Sequence, residues 1–444
     1  MSCAFTISAP IGADVFVAKT FSASAGTGTQ LSSASFDASA TANGRLGIAL
    51  GGSVASLGVA LTSASPLECS GTLAIPIRVT ARTAAGAVIV GAYAQTVALS
   101  DSDTSGATHL SASSLTSSST AITANYNGFV IANSIFSASA SGATKGSATL
   151  TPTPLLYTTN YGSINIFAST ASGNATPLRM ITGSKTGIVG YPNNVTHDAQ
   201  CNVYVSISNS TTNAIYVFAN GANGNAAPIA TISGNKTLLN GPTQMAVNSS
   251  GELFVGNTGG FNILGFPHGS NGNVAPNVNL STNSACGGNG NGLSGNYGLA
   301  LDGTGAVYAD SENNNCVFVF RAGATGSQTP IRTIGGALTH MAATYGPYDI
   351  AIGPGNKLYV VVYGATTKQW LVFASGANGN VAPSQAINQP QGIYGVAVDP
   401  NGLIYVPTGN AVDVYAANAT GNATPIRTIT GSNTKFFEVL HISI

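Results

Sequence analysis

Charge is the scarcest commodity in this sequence. Only 6% of its 444 residues are Asp, Glu, Lys or Arg, 14 acidic against 14 basic, where soluble chains carry about a quarter. No Lys/Arg cluster could neutralise a run of phosphates, so nucleic-acid binding is excluded, as is electrostatic docking on an anionic membrane. Helical signals are equally sparse. No long window places apolar residues at i, i+3, i+4 and i+7 between caps, and the fold class is therefore all-β. A membrane span is not expected: the one uncharged stretch of sufficient length, Leu46 to Leu67, is broken by Gly51, Gly52, Gly58 and Pro66, and Val54, Leu57, Val59 and Leu61 alternate as in a strand. The five cysteines, Cys3, Cys69, Cys201, Cys286 and Cys316, show no metal-ligand spacing. No apolar leader follows Met1, and no G-x-S-x-G nucleophile elbow occurs.

What is abundant is Gly, Ser, Thr and Asn punctuating short Val/Ile/Tyr runs, and the punctuation repeats. An apolar-x-Val-Phe strand, six or seven small residues and Gly-Asn-x-x-Pro-Ile-Arg-Thr-Ile-x-Gly form a unit seen most clearly at Ile215–Gly234, Val317–Gly336 and Val412–Gly431. Its proline falls at Pro177, Pro228, Pro276, Pro330, Pro383 and Pro425, a mean spacing of about 50 residues. Between copies lies a second element, apolar-Ala-apolar-Asp-x-x-Gly-x-Leu-Tyr-Val, as in Leu299–Ala309 and Val396–Val406. Four short strands per repeat at that period predict propeller blades. The first repeat starts in mid-unit at Leu155-Leu156-Tyr157, and Ile442-Ser443-Ile444 matches its missing strand, so the C-terminus is expected to close a ring of six.

This repeat region resembles NHL-type six-bladed β-propellers. Ahead of it, Val79 to Gly91 continuing to Asp103 resembles bacterial immunoglobulin-like domains. The expected organisation is a partial immunoglobulin-like segment over 1–53, an Ig-like β-sandwich over 54–150, a Pro-rich linker over 151–154 and the propeller over 155–444. The short first segment reads as the end of a preceding sandwich, so an export signal is expected upstream of Met1, with an extracellular or cell-envelope location.

Repeat spacing separates scaffold from function. The step from the Asp-equivalent position to the next aromatic is always six residues, as in Asp198 to Tyr204, Asp302 to Tyr308 and Asp399 to Tyr405; the step from strand-ending aromatic to proline is always ten, as in Phe167 to Pro177. In an up-down-up-down blade these two connections share one end of the ring. Those aspartates are expected to bond their own turns, the Gly-Asn pairs to supply positive φ, and Arg179, Arg332 and Arg427 to be solvated or paired across blades. At the opposite end connections vary from 16 residues (Pro383 to Asp399) to 26 (Pro276 to Asp302). Variable loops on a rigid scaffold are where binding resides.

Five residues before the Asp-equivalent position, at the mouth of the channel on that variable face, stand Asn193, Thr243, Tyr297, Tyr348 and Tyr394, with Leu440 the sixth counterpart. The next position adds Asn194, Gln244 and Asp349. A flat ring with a hydroxyl at its tip suits a sugar or a peptide, so a shallow site for a neutral glycan or an extended peptide is expected there. Asp310 and Glu312 are the only close acidic pair in the propeller and a possible Ca²⁺ site; no other cofactor is expected. Cys286 and Cys316 could pair in an exported protein, and His340 and His441 map near the same face. The leading expectation is a non-enzymatic binding module. Its alternatives are a metal-dependent, lactonase-like hydrolase or lyase, and a structural cell-surface component.

Overall fold

The computed structural model describes residues 12–22, 26, 28–40, 46–209, 211–286, 292–341, 346–363, 368–388 and 394–444. Two compact units divide at Pro152, with Thr153–Ile444 forming the second.

In the first unit, one sheet runs Ser56–Leu61, Leu73–Arg82, Ile122–Tyr126, Thr108–Leu110, and a second runs Gly146–Leu150, Ser134–Ser139, Val88–Asp101, Ser114–Ser117. Val88–Asp101 serves both. Its first residue pairs with Arg82 and its last four with Phe136–Ser139. Alternating residues of both sheets, among them Ile75, Ile77, Ala81, Val97, Phe136 and Leu150, share one apolar core. The chain before Val54 is joined to this framework. Ile48–Gly52 lies parallel to the start of Val88–Asp101, and the hairpin of Gly12–Phe21 with Gln30–Ala40 packs Ala34 and Phe36 against Val88 and Val90.

The second unit is a six-bladed β-propeller. From inside outwards, blade one is Ile442–Ser443, Leu155–Asn160, Ser163–Ala168, Arg179–Thr182. Blade two is Asn194–His197, Val203–Ser208, Asn213–Phe218, Ala230–Ser233, and blade three Pro242–Val247, Leu253–Asn257, Asn262–Phe266, Val278–Ser281. Blade four is Leu299–Leu301, Val307–Ser311, Cys316–Phe320, Arg332–Gly335. Blade five is Pro347–Gly353, Lys357–Tyr363, Lys368–Phe373, Gln385–Asn388, and blade six Ala397–Val398, Ile404–Pro407, Ala411–Tyr415, Arg427–Thr430. The C-terminal strand closes the ring as expected, with Ser443 opposite Tyr157 and Ile442 opposite Thr158. Second and third strands are buried on both faces, which is why they read as unbroken apolar runs such as Cys316–Phe320.

The repeated residues at the uniform end prove to be the fastenings. Asp302 accepts the Thr304 and Ala306 amides of its own turn, and Asp399 those of Asn401 and Leu403. The Tyr308 hydroxyl reaches the Asp302 carboxylate and itself accepts from Arg332 Nη2 at 2.7 Å; Tyr405 does the same with Asp399 and Arg427. Arg427 also reaches across the seam to the Ser169 carbonyl of blade one at 2.6 Å. Each Gly-Asn pair grips the preceding blade. Gly224, Gly272, Gly379 and Gly421 form parallel bridges to Ile181, Ile232, Ile334 and Ile387, and Gly173 bridges to Ile429 at the closing seam. These glycines hold φ of 60–78°, and the asparagines that follow accept amides of the neighbouring turn, as Asn225 does from Lys185 and Asn174 from Asn433. The positive-φ role expected of these pairs therefore comes with a second role, as seam latches.

Candidate functional site

At the opposite end of the channel, the inner strands of blades two, three and five carry side chains that tie each of these blades to the next. Asn194 Oδ1 accepts from Met245 N at 3.4 Å, Gln244 Oε1 from Leu299 N at 2.6 Å, and Asp349 Oδ2 from Val396 N at 3.2 Å. Gln244 also donates through Nε2 to the Ile350 carbonyl of blade five, 3.1 Å away. Asn194 and Gln244, expected as ligand contacts, therefore have structural partners. Blades four and six have Gly298 and Gly395 at this position. A β-carbon at Gly298 would stand 2.9 Å from Asp310 Oδ2 and 3.0 Å from Ile350 N, so the Asp310 carboxylate, reaching in from the second strand of blade four, fills the missing side chain's place.

Asp310 and Asp349 thereby come together at the wall of the channel. Their relative exposures are 0% and 1%. Among the described residues, neither oxygen of Asp310 has a hydrogen-bonding partner, nor does Asp349 Oδ1. Burial drives the Asp310 carboxyl well above the ordinary range; the nearby Gly298 and Tyr297 amides pull it back, while the charges of Asp349 and Glu312 push it further up. Burial also raises Asp349, opposed by His441 and by the Val396 and Ile350 amides. His441 Nδ1 stands 3.6 Å from Asp349 Oδ2, within ion-pair range and too long for a hydrogen bond. Glu312 is half-buried, and its carboxyl is raised by that burial. Sequence position made Asp310 and Glu312 a matched pair on one loop. The fold separates their surroundings: Asp310 turns into the seam towards Asp349, while Glu312 lies against Gly295 at the mouth. No group of three or more His, Cys, Asp or Glu side chains that could hold a metal occurs among the described residues.

The three tyrosines do meet. Tyr297 stacks on Tyr348 at 4.8 Å and 17°, Tyr348 meets the Tyr394 edge at 5.9 Å, and His441 lies parallel to Tyr348 at 6.4 Å. Tyr363, which the repeat pattern did not single out, stacks on Tyr394 at 5.4 Å. All four tyrosines are half-buried. Lys368 Nζ sits 5.6 Å from the Tyr363 ring centre. A second aromatic group stands beside blades one and two. Tyr161 contacts the Tyr191 ring at 5.0 Å and Phe437 at 6.3 Å, and Tyr191 donates to Glu438 Oε2 at 2.6 Å, a bond that pushes its phenol up to about 12. The aromatic residues exposed at the surface among those described are Tyr161, Phe261 and Phe437, and all three lie in variable-end connections. Only the inner-strand positions of this aromatic surface repeat, so alignment of the repeats could find Tyr297, Tyr348 and Tyr394 and could not find Tyr161, Tyr191, Tyr363 or Phe437.

Cys286 and Cys316 are joined as a disulfide, with a Cα separation of 6.0 Å, and both are fully buried. The bond ties the connection after blade three to the third strand of blade four.

No protein-family model and no curated protein sequence matches the chain. Solved structures do share its fold. A protein of unknown function from Bacteroides caccae is 10% identical, aligning 65% of this chain with 97% of that one at a TM-score of 0.44. A protein from Lactobacillus plantarum is 14% identical over 62% and 82% of the two chains, at 0.44. A streptogramin B lyase is 13% identical over 56% and 82%, at 0.33. Likeness at this level is one of fold alone. Among the described residues, no helix is long and apolar enough to cross a membrane.

Proposed function

We propose that the chain is a binding module, its propeller offering the tyrosine-rich end of the channel to an extended peptide or glycan. The observation that carries this reading is the concentration of exposed and half-buried aromatic rings at the variable end, with Tyr297, Tyr348, Tyr363 and Tyr394 around the channel mouth and Tyr161, Tyr191 and Phe437 beside it. Two adjacent platforms suit a ligand long enough to span both. Rings that are half-buried and already stacked on each other are preorganised, so a ligand orders little on binding. An oxidising location outside the cytoplasm is supported by the Cys286–Cys316 disulfide. In this reading the NHL-like propeller is displayed by an Ig-like first unit. The test is binding to a peptide library and a glycan array by the wild type and by Tyr348→Ala/Tyr394→Ala. Loss of the wild type's ligands in a variant still folded by circular dichroism supports the site, and unchanged binding removes it.

One observation favours a second reading, a propeller hydrolase or lyase: Asp310, Asp349 and His441 converge at the channel wall, where general acid and base groups would be needed. Turnover abolished by Asp349→Asn would establish it.

A further inference from the structure

The buried carboxylates suggest what such a ligand carries. Among the described residues, three oxygens, Asp310 Oδ1, Asp310 Oδ2 and Asp349 Oδ1, have no donor, although both side chains are at least 99% buried. Buried polar atoms left unpaired are costly, and carboxylate oxygens that face only one ring nitrogen, His441 Nδ1, itself unpaired and 3.6 Å from Asp349 Oδ2, call for a group made only of donors. A primary ammonium has three N–H bonds and no lone pair, whereas a hydroxyl or a water brings acceptors of its own. Charge points the same way. The titratable groups facing the pair are Glu312 and Tyr297 around Asp310, and His441 and Tyr348 around Asp349, so three carboxyls meet one imidazole. The two inner-strand positions without side chains lie at these same carboxylates: a β-carbon at Gly298 would stand 2.9 Å from Asp310 Oδ2, and one at Gly395 would stand 3.1 Å from Asp349 Oδ2. Glycine at both places lets the carboxylates occupy the space that an inner-strand side chain would take. The electron-rich rings of Tyr297 and Tyr348 border the spot and favour a cation over a neutral group.

We propose that Asp310 and Asp349 anchor a primary ammonium group of the ligand bound at the tyrosine-lined mouth, the lysine side chain of an extended peptide being the form that fits. This rests on the binding-module reading above and narrows its ligand to peptides with an accessible lysine. A salt bridge formed in this buried place loses most of its strength when one partner is neutralised.

The experiment compares two probes on the intact wild-type protein by ligand-observed NMR: N-acetyl-lysine methylamide, and the same molecule acetylated at Nε. The free amine is expected to bind at least about tenfold more tightly, and Asp310→Asn and Asp349→Asn are each expected to weaken it about tenfold or more. Equal binding of the two probes to the wild type overturns the proposal without recourse to any variant, and so does amine binding unchanged by both substitutions. Displacement of the amine by calcium chloride at one ion per protein overturns it too, reassigning the carboxylates to a metal. The two readings fail separately. Peptides that bind through the tyrosines with no preference for lysine sink only the anchor, while amine binding that persists in Tyr348→Ala/Tyr394→Ala after peptide binding is lost upholds it.

Discussion

The two ends of this propeller are built from the same six repeats to opposite specifications. At the uniform end most recurring polar residues have their bonds filled from within, Asp302 by its own turn, Tyr308 by Arg332 and Asn225 by the turn of the neighbouring blade, while Arg179, whose Nη1 and Nη2 are buried without a partner among the described residues, is an exception. At the variable end recurrence breaks down, and with it satisfaction. Asp310 and Asp349 keep oxygens unpaired, and aromatic rings reach the surface. The difference teaches that a recurring acidic residue in a repeat protein is first a fastening, and that chemistry is to be sought where one repeat departs from its sisters. Gly298 with Asp310 is such a departure.

Breaking the ring should cost most, because it severs both ends at once. Deletion of Phe437–Ile444 removes the inner strand of blade one and the buried Val439 and Ile442 that pack with Leu156, Phe167 and Tyr405. Each buried aliphatic side chain is worth about 2–5 kcal/mol, so the loss of the two is about 4–10 kcal/mol before the opened seam is counted. Urea unfolding would read it as a collapse of the midpoint, and an unchanged midpoint would refute closure by this strand.

A pair of glycine substitutions sharpens the contrast between a fastened seam and a free loop. Gly234, just past the outer strand of blade two, has φ 111°, and a β-carbon there would lie 2.6 Å from the Asn273 side chain, which the uniform loop of blade three extends to latch it to blade two. Gly162 at the variable end has φ 66° and nothing within 4 Å. Gly234→Ala should therefore cost about 2–3 kcal/mol, since strain and a displaced latch combine, and Gly162→Ala only the backbone term of about 1 kcal/mol. Equal costs in urea titrations would mean that the latches contribute nothing.

Next comes the buried acid pair, whose sign is opposite to that of an ordinary salt bridge. The folded protein holds the Asp310 carboxyl above its unfolded value, chiefly by burial. Its contribution is thus fully present below the unfolded carboxylate range and is lost as pH rises through the folded value. Asp310→Asn, which cannot ionise, should flatten this dependence and leave the protein about 1–2 kcal/mol more stable than the wild type near pH 8. Parallel pH profiles of stability for the two proteins would contradict the assignment.

Much of the fold was legible because closure and blade number follow from spacing alone: ten residues from Phe167 to Pro177 recur wherever the same turn must be made. The tyrosines of the mouth were legible for the same reason, being in register. Two things were not. Asn194 and Gln244 read as free amides because a side chain that bonds to the backbone of the next blade has no sequence signature, its partner lying about one repeat away at an unremarkable Met245 or Leu299. Asp310 read as one half of a loop pair with Glu312, because which side of a strand faces a neighbouring blade is settled by three-dimensional packing. Its true partner, Asp349, is 39 positions further along the chain.

The smallest expected effect on stability is also the one that separates surface from scaffold most cleanly. Tyr161 sits at the tip of a two-residue turn between Leu155–Asn160 and Ser163–Ala168, 58% exposed, its ring in edge contact with Tyr191 and Phe437. Little apolar area leaves water there on folding, so Tyr161→Ala should shift unfolding by less than about 0.5 kcal/mol. A ring of the same size at the uniform end, Tyr308, is buried and bonded to both Asp302 and Arg332, and its loss should cost about 3–5 kcal/mol. If the exposed ring serves a ligand, Tyr161→Ala should weaken binding of the wild type's best peptide several-fold while the melting curve stays in place. A melting curve displaced as far as that of Tyr308→Ala would show that the second aromatic group is a fastening after all, and would confine the binding surface to the tyrosines of the channel mouth.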